Sequence, residues 1–170
     1  MKLLRAAAQV LTAVPVAVVL HDCVFTVCRV PDPSMAPTLQ GGGEYVFVDK
    51  FSIRSWMAPC PELRGEVVYL RSPNEPDKVL LKRVVGIPGD WISDWDSIPL
   101  QVPKGHCWVE GDDKKSNRTN RFQKHFAGGL VPFGLIQGEV RGIVWPPNRL
   151  GKVERSTTTN KRFYFRRTKE

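Results

Sequence analysis

Histidine and cysteine are scarce, three and four in 170 residues. Four cysteines do not make the disulfide scaffold of a chain this long, and no Cys-x-x-Cys pair or His/Cys cluster has zinc-site spacing. No metal and no cofactor is expected. Cys60 and Cys107 lie beyond the apolar N-terminal segment, and a disulfide between them stays open. No Gly-x-Ser-x-Gly elbow is present, and none of the histidines has an evident triad setting. Apolar residues make up 42% and charged residues 25%, which excludes a disordered chain and a many-spanning membrane protein. The length fits one domain.

The net charge is +8, and much of it lies at the end. From Gly151 to Glu170 seven basic residues face two acidic ones, five of the net eight charges. A basic tail can bind nucleic acid or an anionic membrane. The chain has no nucleic-acid recognition module and no interleaved aromatic platform, so nucleic acid is not expected as a partner. The tail reads as solvated, with Phe163-Tyr164-Phe165 as a patch suited to an interface.

Lys2 and Arg5 precede an almost wholly apolar run from Ala6 to Leu20; after His21-Asp22 the run resumes over Cys23 to Cys28. Together these reach the roughly 20 residues of one membrane span. A cleavable targeting peptide is the rival. A retained anchor over 1–29 is preferred, because cleavage at its end would leave Ser34 almost at a new N-terminus. Lys2 and Arg5 would keep the N-terminus on the matrix or cytosolic side. Residues 30–150 then form the main domain and 151–170 a basic tail.

Short apolar runs between Gly and Pro signals predict strands at Glu44–Lys50, Glu66–Leu70, Val79–Ile87, Cys107–Glu110 and Val140–Trp145, with a further short one within Trp91–Leu100. Phe51–Leu63 reads as a loop or short helix. The fold class is mostly β: a compact β domain behind one N-terminal transmembrane helix.

Two residues carry candidate chemistry. Ser34 lies in a proline-bracketed turn, Pro33-Ser34-Met35-Ala36-Pro37, and needs a base to become a nucleophile. Lys82 interrupts the apolar run Val79–Ile87; strand alternation gives it the face of Leu80 and Val84. Apolar surroundings disfavour the ammonium form, as a lysine base requires. Each residue alone is ordinary, but a Ser-Lys pair is a known variant of triad logic.

Ser34-Met35-Ala36-Pro37-Thr38-Leu39, followed by Lys82-Arg83-Val84-Val85-Gly86-Ile87-Pro88-Gly89-Asp90, resembles the type I signal peptidase family. Arg64-Gly65-Glu66-Val67-Val68-Tyr69 is similar to the family's strand before the lysine. Gly105-His106-Cys107-Trp108-Val109-Glu110-Gly111-Asp112 and Ile143-Val144-Trp145-Pro146-Pro147 resemble the subunit 2 pattern of its mitochondrial inner membrane branch. The likeness runs from about Val30 to about Leu150. It implies a signal-peptidase-like β domain in which Ser34 is the nucleophile, Lys82 the general base and the Ser34 backbone N–H part of the oxyanion hole. Met35 would pack beside Ser34 or simply fill core. Arg83 would form a structural ion pair, while Asp90 and Asp112 would make supporting turns.

The resemblance also implies a serine endopeptidase of the mitochondrial inner membrane, single-pass, with its catalytic domain in the intermembrane space. Its partners would be the membrane, membrane-anchored precursors with sorting signals, and a sister protease subunit in a hetero-oligomer. A non-catalytic scaffold subunit, or a signal peptidase of another membrane, is the alternative. Two departures from the family pattern stand out. Asp32 occupies a place where a small or hydroxyl residue is usual, and a carboxylate aimed at an oxyanion would repel it; Asp32 must therefore point away, be protonated or lower activity. The Ser-x-Asp-Ser segment that buttresses the lysine reads Ser116-Asn117-Arg118-Thr119 here.

Overall fold

The computed structural model describes residues 23–55, 63–73, 75–92, 99–113, 129–156 and 163–164, and Val14 before them. Short strands dominate, as the β-branched runs dictate. They are β1 (Phe25–Arg29), β2 (Tyr45–Asp49), β3 (Val67–Arg71), β4 (Val79–Gly86), β5 (Trp91–Ile92), β6 (Leu100–Gln101), β7 (His106–Glu110), β8 (Leu130–Pro132), β9 (Ile136–Trp145), β10 (Gly151–Lys152) and β11 (Phe163–Tyr164). One short helix, α1 (Phe51–Ser55), follows β2.

The main sheet is antiparallel, ordered β1-β2-β9-β3-β4-β7-β8, with β10 added to β9; β11-β5-β6 form a small second sheet. The ten-residue β9 pairs with β2 on one side and β3 on the other, with register shifts at Tyr45/Val46, Phe47/Val48 and Tyr69/Leu70. Such irregularities raise local twist and curl the sheet. Two apolar clusters form the main core. One gathers Val30, Met35, Leu39, Val46, Val48, Val67, Leu81, Val140 and Val153. The other gathers Val68, Leu70, Leu80, Val84, Cys107, Val109, Val131 and Ile136. Successive β4 residues alternate between them, Leu81 to the first and Leu80 and Val84 to the second. Burial on this scale contributes about 1.5–3 kcal/mol per large side chain and explains why β4 tolerates few polar residues.

The mostly β expectation holds, and the predicted strands fall at β2, β3, β4, β5, β7 and β9. β9 begins at Ile136, four residues before the predicted start, because Ile136, Gly138 and Glu139 pair with β3 despite their weak strand signal. The anchor expectation over 1–29 falls largely outside the described residues, which contain no helix long and apolar enough to cross a membrane. Its last five residues are strand β1, paired with β2 from Phe25↔Asp49 to Arg29↔Tyr45. Apolar content alone joined this stretch to the span; the alternation of outward Phe25 and Val27 with inward Thr26 is a strand's period.

The tail also departs from a solvated segment. β10 pairs with β9 through Gly151↔Ile143, Val153 enters the first cluster, and Phe163–Tyr164 pairs with β5. Ser156 N donates to Gly65 O at 3.1 Å. Gly65 has φ +85, and a Cβ there would collide with the Ser156 carbonyl oxygen, so the returning chain needs glycine at this turn. Gly65→Ala should lower the stability of the full chain by about 2 kcal/mol or more. Equilibrium urea unfolding checks this; an unchanged midpoint would mean that residues 153–156 do not pack on the turn in solution.

Candidate active site

Ser34 lies in a single 3-10 turn, Pro33–Met35, directly after Asp32. Proline suits the first position of such a turn, since its φ is preset and its missing N–H would have had no partner. Asp32 is the N-cap, with φ −144 and ψ 161, and its Oδ1 accepts from Ser34 N at 2.9 Å. On the other side, Met35 and Leu39 are fully buried in the first cluster, and Leu39 N donates to Met35 O at 3.0 Å. Core packing thus holds the turn from behind. Met35 is core filling in this sense, while remaining next to Ser34.

Lys82 reaches this turn from β4. Its Nζ donates to Ser34 Oγ at 2.6 Å, and the two residues are only 3% and 4% exposed. Burial lowers the Lys82 pKa from its ordinary 10.5, against the opposing pull of the nearby Asp32 and Asp112 carboxylates. A buried amine at hydrogen-bond distance from a buried hydroxyl is the arrangement in which a neutral lysine can take a serine proton.

Arg83, the next residue, makes a denser set of contacts. Its Nε and Nη2 donate to Asp112 Oδ1 and Oδ2 at 2.8 and 2.6 Å. Nη1 donates to the carbonyls of Gly65 and Glu154 at 2.6 and 3.1 Å, and Nη2 also reaches Thr38 Oγ1 at 3.3 Å. Thr38 Oγ1 donates to Asp112 Oδ2 at 2.5 Å, and Asp113 N donates to Ser34 O at 3.1 Å. The serine turn therefore meets β4 side chains of both phases, the lysine at Ser34 and the guanidinium at Thr38. Asp112 does more than make a turn: it is the carboxylate that allows a guanidinium to be buried here.

Comparison with known proteins places the chain in a family. The signal peptidase family, peptidase S26, matches residues 3–97. Mitochondrial inner membrane protease subunit 2 of Danio rerio is 35% identical over 156 residues, covering 88% of this chain and 80% of the relative. The chain belongs to the peptidase S26 family of signal peptidases. Mitochondrial ATP-independent inner membrane protease subunit 1b of Arabidopsis thaliana is 41% identical over 128 residues, 71% of this chain and 70% of the relative. Subunit 2 of the Saccharomyces cerevisiae protease is 34% identical over 147 residues, 81% and 78% of the two chains.

Within this signal peptidase chain, other sequence expectations find their places. Asp90 is a turn-maker: its Oδ2 accepts from Ile87 N at 2.8 Å and from Arg64 Nη2 at 2.5 Å. Cys107 is a free thiol whose pKa burial pushes up to about 12; Cys60 lies outside the described residues, as do Ser116, Asn117, Arg118 and Thr119. Of the three alternatives for Asp32, pointing away is the one the geometry removes: its carboxylate turns back to the Ser34 N–H. An Asp-Pro pair opening a turn is a legible N-cap signal, and it would have foretold this bond.

Arg149 is the residue that sequence reasoning missed. Trp145-Pro146-Pro147 leads into a 3-10 turn, Pro147–Arg149, which delivers Arg149 to the loop after Ser34. Its Nη2 donates to Thr38 O at 3.1 Å, and its Nε stands 3.1 Å from Glu44 Oε1, an ion pair without hydrogen-bond alignment. Glu44 Oε2 accepts from Gln40 N at 2.8 Å. A buried glutamate after three glycines was the available clue.

Removing one member of the Arg83 pair should be costly, because the other would remain buried and uncompensated. Asp112→Ala should lower stability by about 3 kcal/mol, and Arg83→Lys should not substitute, since lysine lacks the planar fork that engages both carboxylate oxygens. Urea unfolding measures both; a loss under about 1 kcal/mol for Asp112→Ala would show a solvated pair of little consequence.

Proposed function

We propose that this chain is a membrane-anchored serine endopeptidase that removes sorting or signal peptides from proteins delivered to the mitochondrial intermembrane space, using Ser34 and Lys82. The observation that carries this reading is the 2.6 Å approach of Lys82 Nζ to Ser34 Oγ in a buried setting. Neutral Lys82 takes the hydroxyl proton while Oγ attacks the scissile carbonyl carbon. The tetrahedral intermediate collapses, the C–N bond breaks, and the leaving amine takes the proton from Lys82. Water, deprotonated by Lys82, then attacks the acyl ester; its collapse releases the new carboxyl end and returns the proton to Oγ. The Ser34 backbone N–H serves as one donor for the oxyanion in this reading.

Family membership and protease-named relatives support the reaction class. Relatives that are named as subunits support a sister subunit as partner. Membrane attachment rests on the apolar run before β1, and orientation on Lys2 and Arg5. Because β1 begins at Phe25, the proposed anchor is confined to the residues ahead of it.

Ser34→Ala, Lys82→Ala and Lys82→Arg should each abolish cleavage of a precursor with a sorting signal, arginine failing because it does not give up its proton. An unperturbed lysine is neutral in about one molecule in a thousand near pH 7.5; the lowered Lys82 pKa enlarges that fraction. Since the neutral form is the active one, kcat/KM should fall as pH drops, along a limb well below pH 10. His21→Gln, His106→Gln and His125→Gln should leave the limb in place. Full activity in any of the three dyad variants would favour the scaffold reading, and a limb displaced by a histidine substitution would assign the base to an imidazole.

A second expectation concerns attachment. The full chain should stay in the membrane pellet after alkaline carbonate extraction, with its N-terminus ahead of Phe25. Release into the supernatant, or a mature N-terminus inside β1, would refute a retained anchor.

A further inference from the structure

We propose that Asp32 is a built-in stopper of the oxyanion hole, a carboxylate that occupies the Ser34 N–H in the idle site and has to leave it before catalysis. The inference rests on the Ser34–Lys82 reading and adds a gate to it.

Pro33 has no N–H, so Ser34 carries the first donor of the turn, and Asp32 Oδ1 already holds it at 2.9 Å. A hydrogen bond from a backbone N–H to a carboxylate is charge-assisted and stronger than one to a neutral acceptor. The same N–H cannot serve a carboxylate and a tetrahedral oxyanion together, and two anions placed around one donor repel each other. The main chain at this point is clamped from behind. Gly41, with φ +72, packs so closely that a Cβ there would stand 3.0 Å from Asp32 C and 3.1 Å from Pro33 N. The Asp32 side chain, by contrast, is only half-buried. Release therefore asks for a side-chain rotation toward solvent, not for rearrangement of the turn. A precursor docking on the site supplies the displacement, and an empty site keeps its donor blocked.

Asp32 also acts on the base. Its charge favours the ammonium form of Lys82, opposing burial, and Asp112 acts in the same direction. Among the described residues, other charged groups around Lys82 include Arg83, which is held by Asp112, Glu110 on β7, which pairs with Arg83, Glu139, which lies in the same cross-strand row beyond Val68, and Asp113, whose N–H bonds Ser34 O. Asp32 is the only one of these bonded to the serine turn at the Ser34 N–H, so its removal separates from theirs. One side chain thus restrains both halves of the reaction.

Two substitutions distinguish this from a cap that merely holds the turn. Asp32→Ala removes both acceptor and charge. It should raise plateau kcat by roughly tenfold or more, as expected when a blocked oxyanion donor, itself worth about 10²–10³ in rate, is freed, and should move the acidic limb to lower pH. Asp32→Asn keeps a neutral acceptor in the cap. It should move the limb in the same direction with a smaller gain in plateau kcat, and it serves as the test if Asp32→Ala fails to fold. The measurements are kcat and KM against pH for full-length protein on one precursor, beside Ser34→Ala. If Ser34→Ala is inactive while the Asp32 variants show an unmoved limb and an equal or lower plateau kcat, Asp32 is only a cap and the stopper is wrong. If Ser34→Ala still cleaves, the dyad reading falls and the stopper with it.

Discussion

Arg83 is where four separate stretches of chain meet. Its guanidinium touches the turn after β7 at Asp112, the serine loop at Thr38, the turn before β3 at Gly65 and the returning C-terminal segment at Glu154. It reinforces the direct bonds that already join these stretches, Thr38 Oγ1 to Asp112, Asp113 N to Ser34 O and Ser156 N to Gly65 O. A guanidinium suits this place because its five donors lie in a fixed plane and need no deprotonation at any working pH. In the proposed mechanism its neighbour Lys82 needs the opposite property, a charge that can be lost. On that reading the adjacent pair divides the labour between a cation that builds the site and one that acts as its base.

The electrostatics follow from that division. Desolvation alone would drive Lys82 far toward the neutral amine, but two carboxylates pull the other way. Asp112 is largely committed to Arg83 through both of its oxygens, so its field at Lys82 is partly cancelled. Asp32, by contrast, bonds a backbone N–H and faces the Lys82 amine with its charge. Burial in the sheet sets the direction of the lysine's shift, and of the two carboxylates that oppose it the half-buried Asp32 acts more strongly than Asp112.

Much of this architecture was readable in the residues. β2, β3 and β4 are short apolar runs rich in valine, and β7 is a short apolar run between Gly105 and Gly111; such runs have few alternatives. Ser34 and Lys82 are each ordinary alone; they stand out as a pair, through the likeness of their two motifs to the signal peptidase family. β1 was harder: an apolar run abutting a longer apolar run gives no composition boundary, and only its period of two separates them. β10 and the buried Val153 were hidden by the basic residues around them, since charge composition does not reveal which backbone groups a segment pairs. Arg149 and the Asp32 cap depend on contacts between positions that only the folded chain brings together, or on turn chemistry two residues long.

β1 has one more consequence. Lys50 N bonds Val24 O at its start, and Val30 N bonds Glu44 O at its end, both at 2.8 Å. The stretch between them is therefore a stiff strut about 20 Å long at the usual rise of an extended strand, with Ser34 four residues past its far end. On the proposed reading, a surface that grips the chain ahead of Val24 would set a standoff for the scissile bond. A substrate tethered to that same surface would be measured against a ruler, and the place where it is cut would be decided partly by height and not by sequence alone.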